Sequence, residues 1–464
     1  MRRAFATLVA AVTIGGTAFW IAGDRPTPLA AGSAGAEALR MRDACRPVDL
    51  RSAEGGEIRG VEDMVLLPGG DTAKDRLVLS AYDRSTGDAN PDLEAGLYAL
   101  TVEALVAAGE TGGVPPLARL SEAFQADRPL FPHGIGARPR PEGGHRLAVV
   151  NRRDGDRGGR GTVIELFDLD GTTLAHHATI ADPRLCRAND VVPVAGGVLA
   201  SLDGRACEGF DRAIELVFAP RRGRIVLVAD PAADPAADPA ADPAADPEAV
   251  SEAARRTDAG LATGPDAVAP EESAPLTDGW DPASAIGTVE LANPIRTVAD
   301  NLAFANGLAL AGGRLAVAPT RDQALLEAPI DLGGDGEPTS IAAVGEHTWR
   351  RIDLDGGPDN LEVARDGAWL ATVHDSLIGL AIHRTPWLAP LVEDVAGIRL
   401  ASSHVTRVDP ATGRSRVILA DDGDPVFPAA TIAVETGAGL VLGSVTEAGL
   451  LFCPGLSASA GPPA

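Results

Sequence analysis

The chain has 464 residues, 45% hydrophobic but only 4% aromatic, with a formal net charge of −25. That length and apolar content suit one large domain or two smaller ones, with a core of Val, Leu, Ile and Ala. The negative charge argues against a nucleic-acid binder, because nothing here neutralises phosphates; it favours solubility and draws cations.

At the N-terminus, Met1-Arg2-Arg3 precede 20 apolar or small residues, Ala4 to Gly23. Two arginines ahead of such a run form an export signal, and the run is also nearly long enough to span a bilayer. Residues 1–23 are therefore expected to be a signal peptide or a membrane anchor. The rest of the chain is then periplasmic, secreted or membrane-anchored outside the cytoplasm, with any membrane association running through this segment. Residues 24–44 read as a linker, small and Pro-containing.

From there one pattern recurs: a polar residue, an apolar strand, a Gly-rich or charged turn, and a second apolar strand. It reads EDMVLLPGG…RLVLSAYD from Glu62, HGIGARPRPEGGHRLAVVN from His133 and NDVVPVAGGVLASLD from Asn189. It returns as NGLALAGGRLAVAPT from Asn306, DNLEVARDGAWLATVHD from Asp359 and TIAVETGAGLVLGSV from Thr431. Six hairpins of this kind predict an all-β, six-bladed β-propeller over residues 45–453, since radial repetition of short sheets is that fold's signature. Segments between them, such as TVIELFDL (162–169), AIELVFA (213–219), RIVLVAD (224–230) and SRVILA (415–420), are expected to supply outer strands.

The starts of the pattern lie 71, 56, 117, 53 and 72 residues apart. The long gap holds a low-complexity insert, residues 229–284, beginning ADPAADPAADPAADPAADPEA. Proline at every fourth position forbids a stable helix, and the composition cannot bury a core. The insert is expected to be a disordered or polyproline-like excursion, and residues 454–464 a disordered tail.

Four cysteines fit an oxidising compartment. Cys45 and Cys453 bracket the repeats, and a bridge between them would latch a circular fold. Cys186 and Cys207 flank one hairpin, where they either pair or stay free and buried.

The pattern's register places Glu62, His133, Asn189, Asn306, Asp359 and Thr431 at one end of six inner strands, facing one axis. Asp63, Asp190 and Asn360 follow directly. Neighbouring side chains on a strand diverge, so each adjacent pair would serve two depths or two faces. An Asn or Asp ahead of a strand is by itself a turn residue; six polar starts in phase point to a shared site. Carboxylate and amide oxygens are hard donors suited to calcium, and no His/Cys cluster of the kind zinc wants is present.

These stretches resemble the paraoxonase/arylesterase family, calcium-dependent lactonases and esterases on a six-bladed propeller. The likeness lies in GVEDMVLLPGG (60–70), FPHGIGA (131–137), LAVVN (147–151), NDVVPV (189–194), FANGLAL (304–310), PDNLEV (358–363), ATVH (371–374) and GLVLGSVTEAGLLFC (439–453), in that order. The resemblance implies a catalytic calcium held by Glu62, Asn189, Asn306, Asp359 and Asn360. It implies a second, structural calcium on Asp63, Asp190 and the backbone carbonyl of Ile135. It makes His133 and His374 pocket histidines, and Cys45–Cys453 the ring-closing disulfide. One departure stands out: the second histidine that some members carry after the LVVN motif is Arg152 here.

The implied reaction is hydrolysis of a lactone or aryl ester. The metal polarises the carbonyl, and His133, or else Asp359 or Glu62, activates water; His374 is a further catalytic candidate. No nucleophilic serine motif GxSxG is present, since Ser444 lies in LGSVTE. Two rivals remain: a single-metal gluconolactonase-like sugar lactonase, and a non-catalytic exported propeller in which calcium only pins the blades.

Overall fold

The computed structural model describes residues 38–70, 74–84, 94–125, 129–153, 159–218, 220–230, 295–330, 349–385, 389, 400–421 and 425–457. The expected export segment, nearly all of the Asp-Pro insert and all but the start of the C-terminal tail lie outside them.

Two short strands come first, β1 (Leu39–Arg40) and β2 (Arg46–Val48). Blade 1 follows as β3 (Val61–Leu67), β4 (Arg76–Ala81), β5 (Gly96–Thr101) and β6 (Ala118–Arg119). Blade 2 is β7 (Pro132–Pro139), β8 (His145–Arg152), β9 (Thr162–Asp170) and β10 (Thr173–Ile180). Blade 3 is β11 (Ala188–Val194), β12 (Gly197–Leu202), β13 (Gly223–Ala229) and β14 (Arg296–Leu302). Blade 4 is β15 (Ala305–Ala311), β16 (Arg314–Pro319), β17 (Ala324–Pro329) and β18 (Arg350–Asp353). Blade 5 is β19 (Gly357–Val363), β20 (Trp369–His374), β21 (Ser403–Val408) and β22 (Ser415–Ala420). Blade 6 is β23 (Ala430–Glu435), β24 (Gly439–Ser444) and β25 (Leu450–Pro454), with β2 as its outermost strand. The protein is a six-bladed β-propeller.

Local chemistry sets the hairpins. Between β15 and β16 the turn is Gly312-Gly313 alone, with φ of 56° and 70°. A two-residue hairpin turn needs positive φ at both positions to match the strand twist, and glycine reaches it without strain. The strands are apolar on both faces because each blade is covered on both sides. Met64 packs toward blade 6 and its neighbour Val65 toward blade 2. The core is thus six layers between successive blades rather than one central mass.

The ring closes through the N-terminus. Residue pairs Arg46↔Phe452, Pro47↔Leu451 and Val48↔Leu450 complete blade 6. The disulfide Cys45–Cys453 locks that seam across 408 residues of chain. Cys186 and Cys207 also pair, which settles the alternative the sequence left open. The folded region starts before Cys45: β1 pairs in parallel with β22, and Met41 is fully buried between blades 5 and 6.

One helix replaces an expected extended segment, and another was not anticipated. Residues Gly209–Phe218 form a helix where AIELVFA was expected to be a strand. Phe210 and Ile214 recur at helical spacing. Glu215 reaches back to accept the N–H groups of Arg205 and Ala206, holding the helix against its own entry loop. Val102–Thr111 is a second helix, capped by Thr101, whose hydroxyl accepts the N–H of Ala104 at 3.2 Å.

Candidate functional site

Glu62, His133, Asn189, Asn306, Asp359 and Thr431 all lie at the start of the inner strands β3, β7, β11, β15, β19 and β23. Each inner strand contacts the next around the ring, so the six starts share one end of the central channel. In every one the pairing register slips there: Val61/Asp63, Pro132/Ile135, Ala188/Val191, Ala305/Leu308, Pro358/Leu361 and Ala430/Ile432. A bulge frees a residue from the ladder and re-aims it. Simple alternation would have sent Glu62 and Asp63, Asn189 and Asp190, or Asp359 and Asn360 to opposite faces; the bulges remove that constraint.

The inner strands approach closely. A Cβ on Gly134 would sit 2.4 Å from the carbonyl oxygen of Asn189, and one on Gly307 would sit 2.5 Å from the N of Leu361. Only glycine fits at either point.

Hydrogen bonds tie the first level together. Asn306 Nδ2 donates to Asp359 Oδ1 and, at 3.3 Å, to Thr320 Oγ1. Asn360 Nδ2 donates to the carbonyl of Glu62 at 2.9 Å, and Thr431 Oγ1 donates to the same carbonyl at 2.7 Å. His374 Nε2 lies 2.8 Å from Asp359 Oδ2, and Ser403 Oγ is 3.3 Å from its Nδ1. Glu62 is held above the ordinary carboxylate range, chiefly by burial; Arg84 opposes the shift and Asp359 adds to it.

Three atoms in this group stand out. The side-chain oxygens of Asn189, Asn306 and Asn360 are buried with no hydrogen-bond partner. An unsatisfied buried polar atom costs about 1–3 kcal/mol. In Asn306 and Asn360 the amide nitrogens are already committed, leaving the oxygens for another partner. Together with the carboxylates of Glu62 and Asp359 they make five oxygen donors carrying two negative charges. That set fits calcium, which takes six to eight oxygens, better than zinc or copper. Among the described residues no three His, Cys, Asp or Glu side chains group as a metal site by themselves; here most donors are amides.

One residue further along the strands lie Asp63 and Asp190. Asp63 accepts the N–H of Met64 at 2.8 Å and of Ile135 at 2.7 Å. Asp190 accepts the N–H of Val191 at 2.7 Å and of Leu308 at 2.6 Å. Each carboxylate thus clamps its own inner strand to the next. Ile135 meets Asp63 through its N–H. Burial, then the charge of Asp190, pushes Asp63 well above the usual carboxylate range. Burial pushes Asp190 to about 8. Glu362, which sequence reasoning passed over, joins them: burial and then Asp63 raise it to about 8.

His133 has a partner the sequence reading missed. Arg84, in the loop after β4, donates to its Nδ1 at 2.9 Å. The same guanidinium donates to the carbonyls of Pro132 at 3.0 Å and Tyr82 at 3.1 Å, and faces Glu62 Oε2 at 3.5 Å. A guanidinium can only donate, so Nδ1 of His133 accepts and the ring proton sits on Nε2. Burial, then Arg152 and Arg84, hold the imidazole well below its ordinary pKa, so it is neutral. Arg152, in the position of the expected second histidine, donates to the carbonyl of Ala188 at 3.2 Å, beside Asn189. Arg84 lies one residue beyond the quoted hairpin SAYD; its signal was a cation directly after a strand that ends at the polar starts. Phe427 is buried in the layer between blades 5 and 6.

No protein-family model matches the chain, and no curated protein matches it in sequence. Several solved structures resemble it distantly. The calcium-binding protein regucalcin from Agrobacterium tumefaciens is 12% identical, with 89% of this chain and 96% of that chain covered and a TM-score of 0.41. The PQQ-bound aldose sugar dehydrogenase from Streptomyces coelicolor is 11% identical over 88% of this chain and 96% of that one, TM-score 0.40. A gluconolactonase from Xanthomonas campestris is 13% identical over 88% and 98%, TM-score 0.35. Likenesses this distant carry no argument about activity.

Proposed function

We propose that this protein is a calcium-dependent hydrolase of lactones or aryl esters, of the kind its motifs resemble in the paraoxonase/arylesterase family. The observation that carries the reading is the set of three buried, partnerless amide oxygens, on Asn189, Asn306 and Asn360, beside the carboxylates of Glu62 and Asp359. Calcium, when bound by these five residues, supplies a Lewis acid for the substrate carbonyl and the charge that develops on it.

The chain's own residues do the rest. His133 offers its Nε2–H to the acyl oxygen as a donor. It is not the base, because Nδ1 is taken by Arg84. Asp359 has both oxygens engaged, by Asn306 and His374. The base role therefore passes to Glu62, the remaining carboxylate of the set. Its Oε2 faces Arg84 at 3.5 Å, and its carboxylate takes the proton of the attacking water. His374 orients Asp359 by donating Nε2–H to Oδ2, as partners of metal-binding carboxylates do.

The single-metal, gluconolactonase-like reading has one observation in its favour. All four carboxylate oxygens of Asp63 and Asp190 already accept backbone N–H groups. Against it stands their buried charge, which a second divalent ion would offset. Both disulfides suit work outside the cytoplasm. The test is turnover of phenyl acetate and a γ-lactone with calcium and with chelator. The expected result is hydrolysis that chelator abolishes and calcium restores; no turnover on either substrate would leave a calcium-pinned scaffold instead.

A further inference from the structure

Thr320 stands outside the five oxygen donors but touches one of them. It directly follows β16 of blade 4 and opens a single 3-10 turn, Thr320–Asp322. Its N–H donates to the carbonyl of Phe304 at 3.0 Å, and the N–H of Arg321 donates to that of Ala303 at 3.1 Å. Gln323 closes the turn in the left-handed region, with φ of 49°, and its carbonyl accepts the N–H of Leu354 at 2.9 Å. A Cβ on Gly357 would come within 3.0 Å of the Thr320 carbonyl oxygen, so the start of β19 passes directly against the turn. Thr320 is thereby pinned between the stretch that leads into Asn306 and the stretch that leads into Asp359, and it is only 6% exposed.

Its side chain faces the amide of Asn306. The Nδ2 of that amide has two N–H donors, and it has two acceptors, Asp359 Oδ1 and, at 3.3 Å, Thr320 Oγ1. The Oδ1 at the other end is buried without a partner. An asparagine amide presents oxygen or nitrogen according to how it is turned, and its neighbours decide which. Turned over here, it would set Oδ1 against two oxygens and aim N–H groups at the place of a cation. The two acceptors are not equivalent. Asp359 is itself one of the five donors, so a bound cation competes with Asn306 for its charge. The Thr320 hydroxyl is not one of the five, and it is the acceptor whose hold on Nδ2 the ion leaves in place.

We infer that Thr320 is a positioning residue of the calcium site: its hydroxyl fixes the orientation of the Asn306 amide and so turns one metal-binding oxygen toward the ion. This rests on the calcium site proposed above, and the experiment separates the two. Calcium is titrated calorimetrically into metal-stripped full-length protein, as wild type, Thr320→Val and Thr320→Ser. Valine keeps the shape of the side chain and loses the acceptor; serine keeps the acceptor. Thr320→Val is expected to bind calcium about tenfold more weakly, the lower end of the range for partners that orient a ligand, and Thr320→Ser to stay near wild type. A second pair of titrations is made in an Asn306→Asp background, where both ends of the side chain are oxygen and nothing needs turning. There Thr320→Val should cost no more than about twofold, whereas a merely structural role would cost the same in both backgrounds. If Thr320→Val shows no cooperative melt in chelator, Thr320→Ala takes its place. Wild-type affinity in Thr320→Val, an equal loss in Thr320→Ser, or an equal loss in the Asn306→Asp background overturns the inference and leaves the calcium site standing. Turnover of phenyl acetate is read on the same samples. Calcium binding that responds as stated, without turnover, keeps the inference while the hydrolase reading falls; a wild-type protein that binds no calcium removes both.

Discussion

Arg84 and His133 are joined by a 2.9 Å hydrogen bond from guanidinium to Nδ1. That contact fixes a tautomer, and with it a chemical role. A His133→Gln variant keeps an N–H donor but no basic nitrogen. It is expected to lose less than about tenfold in kcat/KM, whereas loss of a general base costs about 10²–10⁴-fold. Nitrogen-15 NMR of the wild type should show His133 neutral with its proton on Nε2. A protonated Nδ1, or a loss of 10²-fold or more in His133→Gln, would return the base role to this histidine.

The pair Asp359 and His374 separates holding the ion from orienting its holder. Asp359→Ala is expected to abolish hydrolysis and to weaken calcium binding beyond about 100-fold, since it removes a charged donor. His374→Ala should cost about 10–100-fold in calcium affinity, the range for partners that orient a ligand. Calorimetric calcium titration of the two variants reads both; unchanged affinity in Asp359→Ala would remove it from the site.

Much of this was readable in the sequence, for a physical reason. An inner strand covered on both sides must be apolar, so the polar residue opening each one stands out: Glu62, His133, Asn189, Asn306, Asp359 and Thr431 all fell where expected. The bulges did not show, because a register slip depends on the pairing partner. Arg84 escaped because a single cation after a strand is common and its target, His133, is 49 residues away. The stretch AIELVFA (213–219) reads as a strand because Ile, Val and Phe favour strands; the turn that Glu215 closes is a tertiary fact.

Asp190 and Glu362 are held at about 8 by burial, against about 4 in an unfolded chain. A raised carboxylate pKa favours the folded state while the proton is on. Its stabilisation is complete below the unfolded value and lost as pH rises through about 8. Metal-free protein is therefore expected to melt at lower temperature near pH 9 than near pH 5, each unit of displacement being worth about 1.4 kcal/mol. Calcium should flatten the dependence by compensating the ionised carboxylates. Thermal melts across that range in chelator and in calcium test this; a melting temperature that climbs with pH in chelator would contradict it.

The two disulfides should differ in weight. Cys45–Cys453 closes a separation of 408 residues and Cys186–Cys207 one of 21. On the chain-entropy model these constrain the unfolded chain by about 6 and about 3 kcal/mol. Denaturant midpoints of Cys45→Ser/Cys453→Ser and Cys186→Ser/Cys207→Ser are expected to fall in that order. Equal shifts would mean that the seam of blade 6 is held by β2 pairing and packing, with little help from the bond.

The most direct test is a crystal structure of the protein grown in calcium. The account requires an ion on the channel axis with oxygens of Glu62, Asn189, Asn306, Asp359 and Asn360 at about 2.3–2.6 Å. An empty channel, with those three amide oxygens still partnerless, would contradict it.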